Sequence, residues 1–349
     1  MTPLRLAMAS DARYLPGAIG TLASARMALP QEIAMEVAFL HDGLSESHQQ
    51  RLVNALARVR GDTSLRFLKI DGEFPGFPDF FFSSKLTYAR LLLPTLLDWD
   101  RVIYIDADFL GLRSLEGLYG SETGENGLTA AVETSIRKLS GDPPGVALAE
   151  PVDPAADYFN AGLLLLDLEK IRRSRLFERA TEILSKFPAA CKFWDQSALN
   201  YAANGSFTPL DPDWNRQTHR TVFDPVGALD ALDRRAVNIH FVTKSKPWLY
   251  WSPFPADRMF RILLDLVDPG WCGPEFASRE SRTRRKLLFA RWLAPFFSFR
   301  AVWKKSDSDR RTAKFWRQMS LDLAALRRNH AQCRRVLGHW MKEIQGKLR

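Results

Sequence analysis

Short apolar runs that stop abruptly at polar residues recur along the first third of the chain. Leu4 to Ala9 ends at Ser10-Asp11, Ala34 to Leu40 ends at His41-Asp42, and Arg101 to Ile105 ends at Asp106-Ala107-Asp108. Leu65 to Ile70 is a further run of this kind. Runs of this length predict strands, with helix-compatible sequence between them, and the unbroken apolar run at 101–105 suits a strand covered on both faces. This is the rhythm of an α/β domain. Ser83 to Leu97 is predicted as a helix, Gly127 to Val132 as a strand, Tyr158 to Leu168 as a buried strand and Glu169 to Phe187 as one amphipathic helix. Ala236 to Val242 is predicted as a final strand, after a Trp- and Asn-bearing loop from Asp211 to Asp224. Between Leu139 and Asp157, Pro143, Pro144, Pro151 and Pro154 with Gly141 and Gly145 resist regular structure, as in an active-site lid or a disordered loop.

Open α/β sheets bind ligands outside the carboxyl ends of their strands, where loops converge on a rigid frame. Asp11, His41 and Asp106 all fall at such ends.

Charge divides the chain. The net charge is +9 over 349 residues, but Arg279 to Arg349 carries 20 Lys/Arg against 5 Asp/Glu, leaving 29 against 35 elsewhere. The composition changes after Pro274, so we expect a catalytic domain over 1–274 and a basic, aromatic-rich helical tail over 275–349. Cys191, Cys272 and Cys333 lie far apart, which speaks against a disulfide framework or a thiolate zinc site and for a reducing, cytoplasmic compartment. Met1 to Ala9 has no signal-peptide pattern, and no run approaches the roughly 20 apolar residues that span a bilayer. Membrane contact is expected to be peripheral.

Two carboxylates at i and i+2 after a strand, with small Ala107 between them, can both reach a divalent cation that bridges phosphate oxygens. A lone triplet of this kind usually does no more than cap a turn. Here it stands in a series: Tyr88-Ala89-Arg90-Leu91, Arg101 to Asp108, Tyr158-Phe159-Asn160-Ala161-Gly162, Trp194-Asp195-Gln196, then His240 with Lys246-Pro247-Trp248. In this order and at these separations, from about Leu4 to Trp248, the series resembles glycosyltransferase family 8. The resemblance is to the lipopolysaccharide galactosyl- and glucosyltransferases, with glycogenin and galactinol synthase as more distant relatives.

The resemblance implies a GT-A-type nucleotide-sugar-binding fold with a mixed, mainly parallel central sheet. It implies Asp106, Asp108 and His240 as metal ligands, a donor set that suits Mn²⁺ and, less well, Mg²⁺. Taken alone, His240 reads as a packed strand histidine. Donor contacts are implied for Arg90, Asp106, Ala107, Asn160 and Lys246, the lysine at the diphosphate. Asp11-Ala12-Arg13-Tyr14 resembles the D-x-x-Y turn that meets the uracil, with Ala12 and Arg13 replacing the usual acid and Asn. Glu133 aligns with an acid near the acceptor; otherwise it reads as a surface glutamate at a strand end.

The family retains anomeric configuration. Gln196 lies where the family places the group nearest the anomeric carbon, and an amide is a poor nucleophile, so front-face attack is expected with Gln196 steadying the reacting centre. Asp195 is the carboxylate for a covalent alternative.

The tail interleaves basic residues with Trp292, Trp303, Trp316, Trp340, Phe289, Phe296, Phe297, Phe299 and Phe315. Aromatic rings favour the headgroup interface and cations favour anionic lipid, so the tail is expected on an anionic membrane surface; nucleic acid, which basic helices with aromatics can also bind, is a rival and is not the expected partner. Met319 to Ile344 has helix-like apolar spacing and packs on the protein in a rival reading. The expected activity is hexose transfer from a UDP-hexose to a glycolipid acceptor in lipopolysaccharide or lipooligosaccharide core synthesis, at the inner face of the plasma membrane. A soluble glycogenin- or galactinol-synthase-like transferase acting on a saccharide, and a non-catalytic nucleotide-sugar-binding protein, are the alternatives.

Overall fold

A computed structural model describes residues 2–70, 76–78, 85–144, 151–218, 229–250, 254–272 and 328–349, with single positions at 74, 148, 252, 276 and 324. Ten strands are described: β1 Leu4–Ala9, β2 Met35–His41, β3 Thr63–Lys69, β4 Arg101–Ile105, β5 Phe109–Leu110, β6 Leu128–Val132, β7 Phe159–Asp167, β8 Thr208–Leu210, β9 Arg216–Gln217 and β10 Ile239–His240. Seven form a sheet in the order β3-β2-β1-β4-β7-β6-β8, and β5-β10-β9 form a small second sheet. The large sheet is mixed and mainly parallel, because β7 alone runs against its two neighbours. As the apolar runs foretell, β4 and β7 are buried almost throughout.

The described helices are α1 Leu15–Ala28, α2 Glu46–Ala57, α3 Leu93–Leu96, α4 Glu116–Tyr119, α5 Leu168–Ser174, α6 Leu176–Lys186, α7 Trp194–Ala203, α8 Leu229–Asp233, α9 Pro255–Val267 and α10 His330–Lys347. Three sequence expectations need correction. The helix expected over Ser83 to Leu97 is a 3₁₀ turn, Leu86–Leu92, running into the four-residue α3. Pro94 has no N–H to return to the Arg90 carbonyl, so an α-helical ladder cannot pass through it. The single helix expected from Glu169 to Phe187 breaks into α5 and α6 at Arg175, whose φ of 53° is left-handed. The expected strand from Ala236 to Val242 shrinks to β10. The Ala236 N–H turns back to the Ala231 carbonyl, and the Asn238 side chain is committed to the Leu112 and Arg113 N–H groups.

α1 fastens the segment after the acidic triplet. Its buried Thr21 hydroxyl donates to the Phe109 carbonyl and accepts from the Phe109 N–H, both at 3.0 Å, and Ser24 Oγ accepts from the Gly111 N–H at 2.9 Å. Two polar residues on a buried helix face thus fix β5. The Pro/Gly segment is also anchored at its described ends. Leu139–Gly141 forms a 3₁₀ turn, and Asp142 Oδ2 accepts from Tyr158 Oη at 3.0 Å and Ser197 Oγ at 2.7 Å.

The chain clusters into two compact units: Met1–Gln217 with Val237–His240 and Arg349, and Thr218–Ala236 with Phe241–Leu348. In the second unit α10 buries Cys333, Val336, Leu337, Trp340 and Ile344. The Trp340 indole N–H donates to the Met259 carbonyl at 2.9 Å, and Arg235 lies over its ring while pairing with Glu343. Trp340 is therefore a packing residue and not an interfacial one, a correction to its place among the tail aromatics. Arg328, Arg334, Arg335 and Lys342 remain exposed on the same segment. The other tail aromatics, Phe289 to Trp316, lie outside the described residues, as do the apolar run Leu287 to Phe299, positions 219–224 of the Trp- and Asn-bearing loop, and positions 145–147 and 149–150 of the Pro/Gly segment. No helix among the described residues is long and apolar enough to cross a membrane.

Candidate active site

The antiparallel pairing of β4 with β7 places the acidic triplet. Ile105 lies opposite Leu163, and the register continues one step beyond β4, where the Asp106 N–H donates to the Gly162 carbonyl at 2.8 Å. The carboxyl end of β4 and the amino end of β7 therefore share one edge of the sheet. Asn160-Ala161-Gly162 comes to lie beside Asp106, although more than 50 residues separate the two segments. β5 follows the triplet and pairs antiparallel with β10, setting His240 opposite Phe109 with the rings stacked 4.2 Å apart.

These pairings bring together three groups from distant parts of the chain. His240 Nε2 lies 3.2 Å from Asp108 Oδ1 and 3.9 Å from Asp106 Oδ2, and one ligand atom from each residue falls within 4.8 Å of the others. The Asp106 side chain is 28% exposed, whereas Asp108 and His240 are buried, so the cluster opens on one side. Two carboxylates and an imidazole at this separation fit a divalent cation of the Mn²⁺ type. The charge count agrees with that fit. Asp106, Asp108 and Asp195 are all coupled to a single buried guanidinium, that of Arg90.

Arg90 sits between the carboxylates. Its Nη2 donates to Asp106 Oδ1 and its Nε pairs with Asp195 Oδ2, each at 2.9 Å, while Nη1 donates to the Ala161 carbonyl. The guanidinium also lies over the Tyr104 ring at 4.3 Å. A surface ion pair, the ordinary fate of an arginine, is not what it forms. Asp195 is fully enclosed: Thr87 Oγ1 donates to Oδ1 at 2.5 Å, and Arg90 holds Oδ2. Burial pushes its carboxyl above the ordinary aspartate range, and the Arg90 charge pulls it back. Trp194 just before it has a φ of 52°, a costly conformation for a bulky side chain, at the point where α7 delivers Asp195 and Gln196. Gln196 is half-buried, with its side-chain oxygen accepting from the Ala161 N–H at 3.0 Å.

A chain of buried side chains runs back from His240. Nδ1 lies 3.0 Å from Asn215 Oδ1, Asn215 Nδ2 donates to Asn160 Oδ1 at 2.9 Å, and Asn160 Nδ2 donates to Glu133 Oε2 at 2.8 Å. Glu133 Oε1 accepts from the Ser135 N–H and hydroxyl. Glu133 is 4% exposed, so it is not a surface glutamate. Asn160 therefore joins Glu133 to Asn215 and, through Asn215, to His240.

Asp11 and Lys246 each have local partners. Asp11 Oδ1 accepts from the Arg13 and Tyr14 N–H groups at 2.9 Å, forming the turn that starts α1 at the carboxyl end of β1. Lys246 belongs to the second unit, where it is buried and its Nζ donates to the Phe241 carbonyl. Ala107 is buried between its two aspartates. His41 accepts the Gly43 and Leu44 N–H groups on Nδ1 and so closes its own turn. Asn215 and Thr87 were not singled out from sequence. Asn215 is one polar residue of a polar loop, and only the pairing of β9 with β10 shows where it points.

Gly162 shows how tight the cluster is. A Cβ there would lie 2.2 Å from His240 Cε1 and 2.9 Å from Asp106 Oδ2. Gly162→Ala is therefore expected to displace the imidazole and weaken Mn²⁺ binding by about 10–100-fold, the usual cost of disturbing the support of a metal ligand. Titration of Mn²⁺ by electron paramagnetic resonance checks this, and unchanged affinity in the folded variant counts against the site.

The family model for glycosyl transferase family 8 matches residues 5–252. The lipopolysaccharide 1,2-glucosyltransferase of Escherichia coli K12 is 24% identical over 75% of this chain and 78% of its own length. The lipopolysaccharide 1,3-galactosyltransferase of Salmonella typhimurium LT2 is 24% identical over 73% and 76%. Among solved structures, the galactosyltransferase LgtC, in complex with donor and acceptor sugar analogues, is 27% identical and superposes with a TM-score of 0.59 over 74% of this chain and 95% of its own. The match to the family model over well more than half its length, together with the GT-A-type arrangement of its mixed sheet, shows that the chain belongs to glycosyltransferase family 8.

Proposed function

We propose that this glycosyltransferase is a metal-dependent, retaining hexosyltransferase that draws its sugar from a UDP-hexose. The observation that carries the proposal is the convergence of Asp106, Asp108 and His240 at the carboxyl end of β4. Those three residues hold the cation, with Mn²⁺ the best match to their donor atoms. A divalent cation supplies Lewis-acid neutralisation of a departing diphosphate.

The protein's own groups do the positioning. The Asp11 turn presents Tyr14 at the head of α1, which suits the nucleobase end of the donor. Asn160 and Gln196 flank Ala161 at the start of β7, which suits the hexose. Arg90 holds Asp106 in place and offsets part of the carboxylate charge. With Asp195 locked between Arg90 and Thr87, front-face attack is the better account of retention, and Gln196 steadies the reacting centre. The relatives named as lipopolysaccharide glycosyltransferases make a glycolipid of lipopolysaccharide core synthesis the proposed acceptor. The exposed basic face of α10 would then lie on an anionic inner-membrane surface from the cytoplasmic side.

Three outcomes follow. In a donor-hydrolysis screen over UDP- and GDP-sugars with Mn²⁺, a UDP-hexose is expected to be cleaved, and Asp108→Ala is expected to lower the rate by at least about 100-fold. Equal rates in wild type and variant would remove the metal from the reading. Intact-mass spectrometry after incubation with donor is expected to show no glycosyl adduct; one mapped to Asp195 would replace front-face attack with a covalent route. The full-length chain is expected to float with phosphatidylglycerol vesicles and to detach as salt rises, since each surface charge contributes about 1 kcal/mol. Failure to float at low salt sinks the membrane proposal.

A further inference from the structure

The buried chain from His240 to Glu133 has a consequence that depends on the direction of each hydrogen bond. A carboxylate can only accept, and both Glu133 oxygens are engaged. Asn160 must therefore present its NH₂ group to Glu133. The Gly162 N–H, which can only donate, lies 2.9 Å from Asn160 Oδ1 and fixes the same orientation independently. With that oxygen turned toward Asn215, Asn215 must present its own NH₂ group, at 2.9 Å. Its remaining oxygen faces His240 Nδ1 at 3.0 Å.

We infer that Glu133 and the Gly162 N–H, acting through the Asn160 and Asn215 amides, fix the His240 imidazole in the tautomer that carries its proton on Nδ1 and keeps Nε2 free to ligate. Neutral imidazole has one N–H. An acceptor at Nδ1 claims it, leaving a lone pair on Nε2 toward Asp106 and Asp108. The local electrostatics of the ring alone favour the opposite arrangement. An Nε2–H would donate to Asp108 Oδ1, 3.2 Å away, and the ring would cease to be a ligand. That alternative requires a lone pair on Nδ1 facing the Asn215 oxygen, or both amides turned over against Glu133 and Gly162. Glu133, Asn160, Asn215 and His240 are all at most 5% exposed, so water does not compensate such a mismatch. Glu133 and Asn215 are positioning residues, and the inference rests on reading Asp106, Asp108 and His240 as a divalent-cation site.

The tautomer is directly measurable. Two-bond ¹H–¹⁵N correlation spectra of the full chain without metal resolve its six imidazoles, and His240→Gln assigns the relevant one. Wild type is expected to show a protonated Nδ1 and an unprotonated Nε2 at His240. Glu133→Gln can keep its oxygen toward Asn160 and so leave the relay in place, whereas Asn215→Leu removes both links. Asn215→Leu is expected to move His240 toward the Nε2–H form and to raise the Kd for Mn²⁺ about 10–100-fold. An Nε2–H tautomer in wild type overturns the proposal whether or not the variants fold. Unchanged His240 resonances in folded Asn215→Leu overturn it as well. If wild type shows the expected tautomer and His240 shifts in Asn215→Leu, but wild type does not bind Mn²⁺ saturably, the relay stands and the cation reading fails.

Discussion

The site depends on one reversed strand. In a fully parallel sheet the residue beside the carboxyl end of β4 would be the carboxyl end of another strand, followed by another loop. Because β7 runs antiparallel, the neighbour is instead the beginning of β7, and Asp106 pairs with Gly162 within the ladder itself. The side chains of Asn160 and the bare backbone of Gly162 are thereby placed by sheet hydrogen bonds rather than by a loop. Precision follows from that difference, since side chains carried on sheet elements are held more closely than those on loops. The absence of a Cβ at Gly162 is what lets the His240 ring rest against this edge.

Charge is the second constraint, and it explains why Arg90 is buried. Asp106, Asp108 and Asp195 repel one another in a region largely shielded from water, where the attraction of one guanidinium is correspondingly strong. Arg90 spans Asp106 and Asp195 and also satisfies the Ala161 carbonyl, so a single residue ties the 3₁₀ turn, β4, β7 and α7 to one another. Asp108 lies on the other side of the cluster, with His240 Nε2 3.2 Å from its Oδ1.

Much of this frame was legible in the sequence, for identifiable reasons. Strands β1, β2, β4 and β7 announce themselves because strands buried on both faces need unbroken apolar runs, and polar residues end them at the sheet edge. The acidic triplet was legible because it stands at such an end. Helix boundaries were not. Leu168 to Lys186 keeps its amphipathic period across Arg175, and nothing in that period records that one residue turns left-handed. The partnership of His240 with Asp106 came from resemblance, since no local pattern links residues so far apart. Asn215 was invisible because its role is defined by what lies 3 Å away, which the pairing of β9 with β10 decides.

The C-terminal helix shows where composition misleads. Aromatic and basic residues mixed in one segment read as a membrane surface, but a helix sorts them by face. In α10 the buried stripe is Cys333, Val336, Leu337, Trp340 and Ile344, with Trp340 bonded to Met259, and the exposed positions carry Arg334, Arg335 and Lys342. The aromatic ring therefore contributes to the packing of its unit, while Arg334, Arg335 and Lys342 face outward together with Met341. Any attraction of this helix to an anionic surface is then electrostatic and falls with ionic strength. An inserted aromatic ring would instead hold at high salt.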